Sequence, residues 1–387
     1  MAALTGPGLA DGEHHLPGGL VVPAYAGAYL GSLVPALQAP PGERPGWLPP
    51  ALAQAGQVVL LVLDGLGWEQ LAQRTAVAPL MSSMDGGPIT SVAPTTTATA
   101  LSSLTLGMAP AAHGIVGYKF ALDGPSGREV LNVLRWTTSS GDARSFAPPA
   151  RLQQEPAFGG CPVPVVSRAD FSGSGFTAAH QRGAREVGWV VPSSMALLVR
   201  RLLGEGEPFV YAYYDGVDKV AHATGLGELY DGELAAVDRL VGDMLATLPT
   251  GAALAVVADH GQVEVGGAAT FLPAEVVRET TMTSGDARFR WLHCRPGRTE
   301  VLLGLLRELY AGRAWVATRA EVVGAGLFGG PLQAAAWERL GDIALVPLDD
   351  GAYLDPRNAG EGEARLVCRH GGLSIAEMLV PLLAAAA

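Results

Sequence analysis

The sequence predicts an α/β protein with a doubly wound, mostly parallel sheet that is flanked by helices and carries a small inserted α/β cap. Apolar runs of strand length alternate with segments of helical composition along the chain, which is the pattern of βαβ units. Aspartates follow two of these runs directly, as expected where parallel strands end at one edge of a sheet. With 387 residues, of which 49% are hydrophobic, the chain is long enough to bury such a sheet on both faces.

The individual elements follow from the apolar runs and the turn formers between them. Residues 1–55 are rich in Gly and Pro and are expected to wrap the surface. The first core strand is predicted at 58–63, directly before Asp64, and a helix is predicted to begin at Trp68. Further strands are predicted at 89–92, 209–214 and 254–258, helices at 98–106 and 193–203, and a last apolar segment at 378–383.

The same pattern predicts a core and an insertion. Residues 56–265 and 366–387 are predicted to form the core that carries the active site, and residues 266–365 to form an inserted cap subdomain. The insertion has a β-α-β-like pattern of its own, with strand-like or helix-like runs at 289–294, 300–310, 314–318 and 343–347. Residues 120–190 carry many turn formers and are expected to contain an excursion over the site.

Composition excludes several classes of protein. The formal net charge of −11 argues against binding of duplex nucleic acid, because that affinity comes largely from clustered Lys and Arg. The apolar runs are too short and interrupted to span a bilayer, so no membrane segment is predicted. Three widely spaced cysteines without a C-x-x-C indicate neither a disulfide framework nor a zinc knuckle, and the N-terminus lacks the pattern of a signal peptide. These features predict a globular protein of the cytosol.

Six carboxylate and imidazole side chains are candidate metal ligands, because they follow apolar runs or precede glycines. They are Asp64, Asp218, His222, Asp259, His260 and His370. Asp218 and His222 are four residues apart and would share one face of a helix. An isolated pair of this kind is more often an exposed helix pair, by roughly three to one, and Asp64 or Asp259 could be a plain turn residue. The joint series D…D-x-x-x-H…D-H-G…H-G-G favours a metal site.

The ligand types predict two divalent ions. Imidazole nitrogen and carboxylate oxygen are normal donors to zinc, although manganese remains an alternative. Two such ions, about 3.5 to 4 Å apart, can clamp the attacking and leaving oxygens of an in-line displacement. The sequence therefore predicts a two-metal phosphoryl-transfer site.

Thr97 is the candidate nucleophile. A threonine hydroxyl needs a base or a metal to activate it, and no His-Asp relay is evident beside this one. A helix that starts behind Thr97 would offer its backbone amides to phosphate oxygens. The alternative is that the threonine run merely caps that helix. Asp215, three residues before Asp218, either orients His222 or caps a loop.

Taken together, these residues resemble the alkaline phosphatase superfamily, and within it the nucleotide pyrophosphatase/phosphodiesterase branch. The resemblance runs from about residue 58 to 372 and covers the whole core. The matching segments are Leu-Val-Leu-Asp-Gly at 61–65, Pro-Thr-Thr-Thr at 94–97, Gly107, Pro-Ala-Ala-His-Gly-Ile-Val at 110–116, Asp218 with His222, Asp-His-Gly at 259–261 and His-Gly-Gly at 370–372.

The resemblance implies a hydrolase of small-molecule phosphate esters that acts through a covalent phosphothreonine at a two-zinc site. One ion would be held by Asp218, His222 and His370. The other would be held by Asp64, Asp259 and His260, with Thr97 facing it. The spacing from Thr97 to Gly107 and His113 fits the family's pattern, and His113 is then a structural residue in a helix-to-loop turn.

One departure from the family's pattern leaves the substrate class open. Phosphodiesterases of the family place an asparagine after the nucleophile to hold a phosphate oxygen, but none follows Thr97 until Asn132. Alternatives are a phosphomonoesterase or phosphonate hydrolase of the same superfamily, or a metal-dependent phosphate-binding module without turnover. A sulfatase is disfavoured, because no C-x-P-x-R stands near Thr97. Four aromatic residues could stack on a base, with core packing as the alternative role of each: Tyr118, Trp136, Phe171 and Tyr213.

Overall fold

Strands and helices alternate over most of the computed structural model, which describes residues 16–358 and 361–387. In chain order the strands are β1 (Gln57–Leu63), β2 (Asp85–Thr90), β3 (Lys119–Gly124), β4 (Gly127–Asn132), β5 (Thr137–Thr138), β6 (Gly141–Asp142), β7 (Pro164–Arg168), β8 (Arg185–Trp189), β9 (Phe209–Tyr214), β10 (Ala252–Val257), β11 (Val263–Glu264), β12 (Ala269–Phe271), β13 (Thr280–Asp286), β14 (Phe289–Cys294), β15 (Ala314–Thr318), β16 (Ile343–Pro347), β17 (Ala352–Leu354), β18 (Cys368–Arg369) and β19 (Leu379–Ala386). The α-helices are α1 (Leu30–Gln38), α2 (Pro50–Ala53), α3 (Trp68–Ala72), α4 (Pro79–Ser83), α5 (Thr97–Leu106), α6 (Pro110–His113), α7 (Pro149–Leu152), α8 (Gly175–His180), α9 (Met195–Gly204), α10 (Gly216–Thr224), α11 (Glu228–Leu245), α12 (Ala274–Glu279), α13 (Thr299–Leu309), α14 (Arg319–Gly324), α15 (Ala334–Trp337), α16 (Glu361–Ala364) and α17 (Ile375–Met378).

The central sheet has seven strands in the order β2-β19-β10-β1-β9-β7-β8. The five strands from β10 to β8 are parallel, and β19 runs antiparallel to its two neighbours β10 and β2. The predicted α/β fold class with a mostly parallel, helix-flanked sheet is confirmed.

The middle strands form where the sequence is continuously apolar. All six residues of β10 and six of the seven in β1 are buried. Strands covered by helices on both faces need no polar side, which explains why these runs do not alternate. Because β1 lies between β10 and β9, its carboxyl end meets theirs at one edge of the sheet.

A second sheet is formed within the predicted insertion. Its four antiparallel strands follow the order β13-β14-β16-β15, and α13 packs on β15. Leu302 and Leu306 of α13 belong to an apolar cluster with Leu292, Ile343 and Leu345 of the sheet. A separate set of hairpin strands, β3 to β6, contacts β13 through β3. This hairpin set belongs to the turn-rich stretch that was expected to pass over the site.

The N-terminal prediction can be compared with the structure only in part, since residues 1–15 lie outside the described residues. Within 16–55, helix α1 carries apolar residues at helical spacing and buries Leu30, Leu33 and Leu37. The helix packs against α5, so this stretch contributes to the core as well as to the surface. The boundaries drawn at 55, 265 and 366 stay predictions. Among the described residues, no helix combines the length and apolar character needed to cross a bilayer.

Candidate metal centre

The candidate ligands meet at the carboxyl edge of the central sheet. Asp64 follows β1, and Asp259 stands two residues after the end of β10. The chain turns away at Gly65, whose φ of 75° suits glycine and whose amide donates to Asp259 Oδ1 at 3.0 Å. A Cβ at Gly65 would lie 2.9 Å from the Cβ of Asp218. Glycine at this position therefore lets strand and helix ligands approach each other.

Asp64, Asp259 and His260 form what we call the deep group. Their side chains are at most 5% exposed. His260 Nε2 lies 3.6 Å from Asp64 Oδ1 and 3.4 Å from Asp259 Oδ2. The other oxygen of each carboxyl is occupied, because Asp64 Oδ2 accepts from the hydroxyl of Tyr213 and Asp259 Oδ1 accepts from two backbone amides.

The remaining two carboxylate oxygens have no hydrogen-bond partner among the described residues. They are Asp64 Oδ1 and Asp259 Oδ2, and both are buried. Burial raises the pKa of both carboxyls, and for Asp64 the charges of Asp259 and Asp218 raise the pKa further. Unpaired buried carboxylate oxygens are costly unless a donor or a cation meets them. A divalent ion fits this need, because carboxylate and imidazole are among its normal ligands.

Asp218, His222 and His370 form the outer group. Helix α10 presents the first two on one face, as their spacing predicted, with His222 Nε2 3.3 Å from Asp218 Oδ1. His370 follows β18, and its Nε2 lies 3.9 Å from the same oxygen. One ligand atom from each of the three lies within 4.8 Å of the others. Their side chains are 10 to 20% exposed, more than those of the deep group.

The Nδ1 contacts of the three histidines indicate which ring nitrogen carries the hydrogen. In each ring Nδ1 faces a backbone carbonyl, that of Gly261 for His260 at 3.0 Å, Cys368 for His222 at 2.7 Å and Thr95 for His370 at 2.9 Å. A carbonyl can only accept, so Nδ1 carries the hydrogen and Nε2 keeps its lone pair.

Burial lowers the pKa of His370, and the neighbouring rings of His260 and His222 lower it further, so the His370 ring stays neutral. Its ring also stacks on that of His260, with centroids 3.6 Å apart. Neutral imidazoles with a free Nε2 are suited to bind metal.

The two groups adjoin through Asp218. Asp64, Asp218 and His260 also satisfy the 4.8 Å criterion, so Asp218 belongs to both sets by distance. The structure thus brings all six predicted ligand residues to one place. The deep and outer groups contain the residues of the two triads that the resemblance implied, and Asp218 lies near ligand atoms of both groups, so the ion that it would hold stays a prediction.

Thr97 lies at the first position of α5, behind Thr96 as N-cap. Its hydroxyl is 3.1 Å from His260 Nε2. The first amides of α5 have no partner within the helix, since its hydrogen bonding begins with the amide of Ala100. Thr97 and the outer group line a cavity of about 790 Å³, so the hydroxyl, the open helix end and the ligands share one space.

Several further residues of this cavity were not singled out from the sequence as site residues. They are Lys119, Asn132, Arg135, Lys219, Asp286, Glu363 and Arg369. Three of them, Lys119, Asn132 and Asp286, come from the hairpin strands or the second sheet, and the other four come from helices, a loop or β18. Asn132 is the first asparagine after Thr97, so the sequence did contain one usable signal.

Three residues that sequence reasoning left open are now placed. Of the aromatic candidates, Tyr118 lines the cavity, whereas Trp136 is buried with its indole N–H donated to the carbonyl of Ala147. Asp215 pairs with Lys219 and with Arg168, at 3.3 Å for the latter. The idea that Asp215 orients His222 is wrong, since the carbonyl of Cys368 holds that ring.

Known structures share this fold. Murine ectonucleotide pyrophosphatase/phosphodiesterase 5 superposes with a TM-score of 0.64 at 15% identity, over 85% of this chain and 87% of that one. An inactive threonine-to-alanine variant of the murine protein, in complex with AMP, gives 0.63 at 14% identity over the same shares. Phosphonoacetate hydrolase from Sinorhizobium meliloti 1021, in complex with phosphonoformate, gives 0.59 at 19% identity over 86% and 90%.

Sequence comparison gives the family. No curated protein matches the chain significantly. The model of the family described as type I phosphodiesterase/nucleotide pyrophosphatase matches residues 58–194 and 185–372, most of the chain. The resemblance read from the motifs is thereby confirmed, and the chain belongs to the type I phosphodiesterase/nucleotide pyrophosphatase family, a group of phosphoester hydrolases in the alkaline phosphatase superfamily.

Proposed function

We propose that this protein hydrolyses small-molecule phosphodiesters or nucleotide pyrophosphates at a two-zinc site, through a covalent phosphothreonine on Thr97. The observation that carries the proposal is the position of the Thr97 hydroxyl, 3.1 Å from His260 Nε2. His260 belongs to the deep group, whose Asp64 and Asp259 each have an unpaired oxygen, and the outer group adjoins it. A capping threonine would not need this neighbourhood.

The residues present fit two divalent ions. Asp64, Asp259 and His260 would hold one, and His222 and His370 the other, with Asp218 placed to contribute to either. The mixture of carboxylate oxygen and imidazole nitrogen suits zinc, with manganese as the alternative. When bound, the ions would supply Lewis acidity, which lowers the pKa of the threonine hydroxyl and stabilises charge on the leaving oxygen.

The chain's own groups perform the two displacements. In the first, Thr97 loses its hydroxyl proton to solvent, Oγ1 forms a bond to phosphorus, and the bond from phosphorus to the leaving oxygen breaks. The open amides at the start of α5 donate to the phosphoryl oxygens and fix the group for in-line attack. In the second, water attacks phosphorus, the bond from phosphorus to Oγ1 breaks, a proton of the water restores the threonine hydroxyl, and a phosphate monoester leaves.

The structural relatives support this proposal. The murine relative is inactive as its threonine-to-alanine variant and was solved with AMP, which is consistent with a nucleotide-handling threonine enzyme. The bacterial relative is a phosphonoacetate hydrolase, so cleavage of a phosphonate is the alternative to test beside monoesters. The cytosolic location stays a prediction from the sequence.

Replacing Thr97 with Ala is expected to lower turnover by at least about 10³-fold, because the attacking oxygen is removed while the ligands remain. Turnover is measured on a nitrophenyl diester, a nitrophenyl monoester, a nucleotide pyrophosphate and phosphonoacetate, with zinc or with chelator. Acid-quenched wild type should carry a phosphoryl group on the peptide that contains Thr97. Elemental analysis should find two ions per chain in both proteins.

The matched control is Thr105→Ala at the other end of the same helix, which should keep wild-type turnover. Full turnover of Thr97→Ala would show that another group attacks. A wild-type protein that holds two ions and binds phosphate but cleaves none of the four substrates would instead be a binding module.

A further inference from the structure

Tyr118 and Asn132 form a hydrogen-bonded pair in the wall of the cavity that contains Thr97. They come from opposite sides of the β3–β4 hairpin. Tyr118 directly precedes β3, Asn132 ends β4, and the backbone carbonyl of Tyr118 accepts from the amide of Val133 at 2.9 Å. The hairpin therefore fixes both side chains relative to each other.

The direction of the hydrogen bond within this pair follows from a backbone contact. The amide of Arg135 donates to Asn132 Oδ1 at 3.1 Å, and an amide N–H can only donate. This contact fixes which end of the side-chain amide is oxygen. The NH₂ end then faces Tyr118, and Nδ2 donates to the tyrosine hydroxyl at 2.7 Å.

The hydroxyl hydrogen of Tyr118 is consequently uncommitted. The oxygen accepts from Asn132, and no described residue accepts the hydrogen in return. The ring itself is held, since the ammonium of Lys119 lies 5.1 Å from its centroid and pairs with Glu363 at 3.2 Å. An immobilised hydroxyl with a free hydrogen in a cavity beside Thr97 is a donor that lacks an acceptor.

We propose that Tyr118 donates this hydrogen to a non-bridging oxygen of the phosphoryl group bound at Thr97, and that Asn132 is the positioning residue that sets the hydroxyl's direction. This inference rests on the proposed function and names a phosphoryl-binding residue for the same site. A fixed donor is effective because it already points where negative charge develops, without reorganising during the reaction.

Tyr118→Phe tests the donor with the ring retained. The variant should lose about 10²-fold in kcat/KM, the loss seen when one preorganised donor is removed. The two stereoisomers of a phosphorothioate diester place sulfur at one or the other non-bridging position. Sulfur is a poorer hydrogen-bond acceptor than oxygen, so the wild type should prefer the isomer whose oxygen faces Tyr118. This preference should be smaller in Tyr118→Phe. Metal content and Tm should not change.

The control is Tyr353→Phe, which should keep wild-type kcat/KM. Tyr353 is buried near the second sheet and does not line the cavity that contains Thr97. Asn132→Ala should cost less than Tyr118→Phe. Because Asn132 acts through Tyr118, the double variant should be no worse than Tyr118→Phe alone. Additive losses would overturn the positioning role.

A second measurement separates this inference from the proposed function. Binding of inorganic phosphate to the zinc-loaded protein needs no turnover, and Tyr118→Phe should weaken it about 10-fold while Thr97→Ala leaves phosphate bound. If no substrate is cleaved, weaker phosphate binding by Tyr118→Phe still supports the donor. Unchanged phosphate affinity and unchanged isomer preference would overturn it.

Discussion

The deep and outer ligand groups lie side by side but are held by different parts of the fold. Asp64 and Asp259 follow neighbouring strands of the central sheet, and the deep group is almost fully buried. The outer group combines two residues of α10 with His370, which arrives more than a hundred residues later in sequence after β18. Its side chains are 10 to 20% exposed.

This difference teaches what each group contributes. Strand register fixes the positions of Asp64 and Asp259. Because both carboxyls are buried, their ionised forms are unfavourable in the absence of a cation. The outer ligands border the cavity that also contains Thr97. Under the proposed function, an ion held by the deep group would be part of the folded core, whereas an ion held by the outer group would exchange more easily.

The largest effects are expected when one ligand of each group is replaced, in the variants Asp64→Asn and His222→Ala. Asp64→Asn should abolish turnover and lose the deep ion, yet raise the Tm of the chelator-treated protein. The reason is that a neutral amide replaces a carboxyl whose pKa is raised by burial and by the charges of Asp259 and Asp218. His222→Ala should lose only the outer ion and leave the metal-free Tm nearly unchanged, since its ring is part-exposed.

Ion content is measured by elemental analysis and Tm by calorimetry, with and without chelator. If the Asp64→Asn protein still holds two ions, Asp64 is not a metal ligand. Loss of both ions from His222→Ala would show that the two groups bind metal as one unit, and the distinction between them would fail.

A smaller effect is expected from the residues that hold the ligands. Tyr213 donates to Asp64 Oδ2, and burial, followed by the Asp64 charge, raises the pKa of this tyrosine so that it stays a donor. Gln262 donates to Asp218 Oδ1 in the outer group. Tyr213→Phe should weaken the more tightly held ion by about 10 to 100-fold. Gln262→Leu should weaken the other ion by less, because water reaches Asp218 and can replace the amide.

Stepwise competition with a chelator measures both affinities in each variant. The expected result is that the tighter step changes in Tyr213→Phe and the weaker step in Gln262→Leu. Equal changes in both steps for both variants would contradict the separate support of the two groups.

The deep group could be predicted from sequence because one physical rule governs it. Continuous apolar runs become buried parallel strands, and the residues after them meet at the carboxyl edge. The predicted strand at 209–214 coincides with β9, and those at 58–63 and 254–258 lie within about two residues of β1 and β10. The pair Asp218 and His222 followed equally simply from helical spacing.

The cavity wall could not be predicted, since it depends on contacts between distant segments. Tyr118 and Asn132 become neighbours only through the β3–β4 register, and no periodicity marks such short hairpin strands. The role of Asp215 was missed for a related reason, because its partner Arg168 comes from β7. Strand β2 ends at Thr90 instead of 92, where the amide of Ser91 turns to the carbonyl of Met378.

His113 completes the comparison as an imidazole whose hydrogen bonds are those of a structural residue. Its Nδ1 accepts from the amide of Ile115 at 3.0 Å, and its Nε2 faces the hydroxyl of Ser103 at 2.9 Å. In the three histidines of the candidate site, by contrast, Nδ1 donates to a backbone carbonyl, and the lone pair is on Nε2. Hydrogen-bond direction thus separates a ligand histidine from one that holds a turn, as the resemblance implied for His113.

The smallest expected effect is the contribution of His113 to the loss of folding stability in acid. Burial, then the charge of Arg339, lowers the pKa of His113 from 6.5 to about 3. Because the folded pKa lies below that of the unfolded chain, the stabilisation is present above pH 6.5 and is lost as the pH falls toward 3. At pH 5.5 the loss is about 1.4 kcal/mol. In His113→Gln it should be absent, so the free energy of unfolding should fall less between pH 7.5 and 5.5.

Urea unfolding of the zinc-loaded proteins at the two pH values measures this difference. The buried His180 and His293, whose pKa values are also lowered by burial, are present in both proteins and cancel in the comparison. Equal pH dependence of the two proteins would mean that His113 already accepts a proton in the fold. Its ring would then take up a proton as easily as an exposed imidazole does, and its hydrogen bonds would no longer distinguish it from a histidine that binds metal.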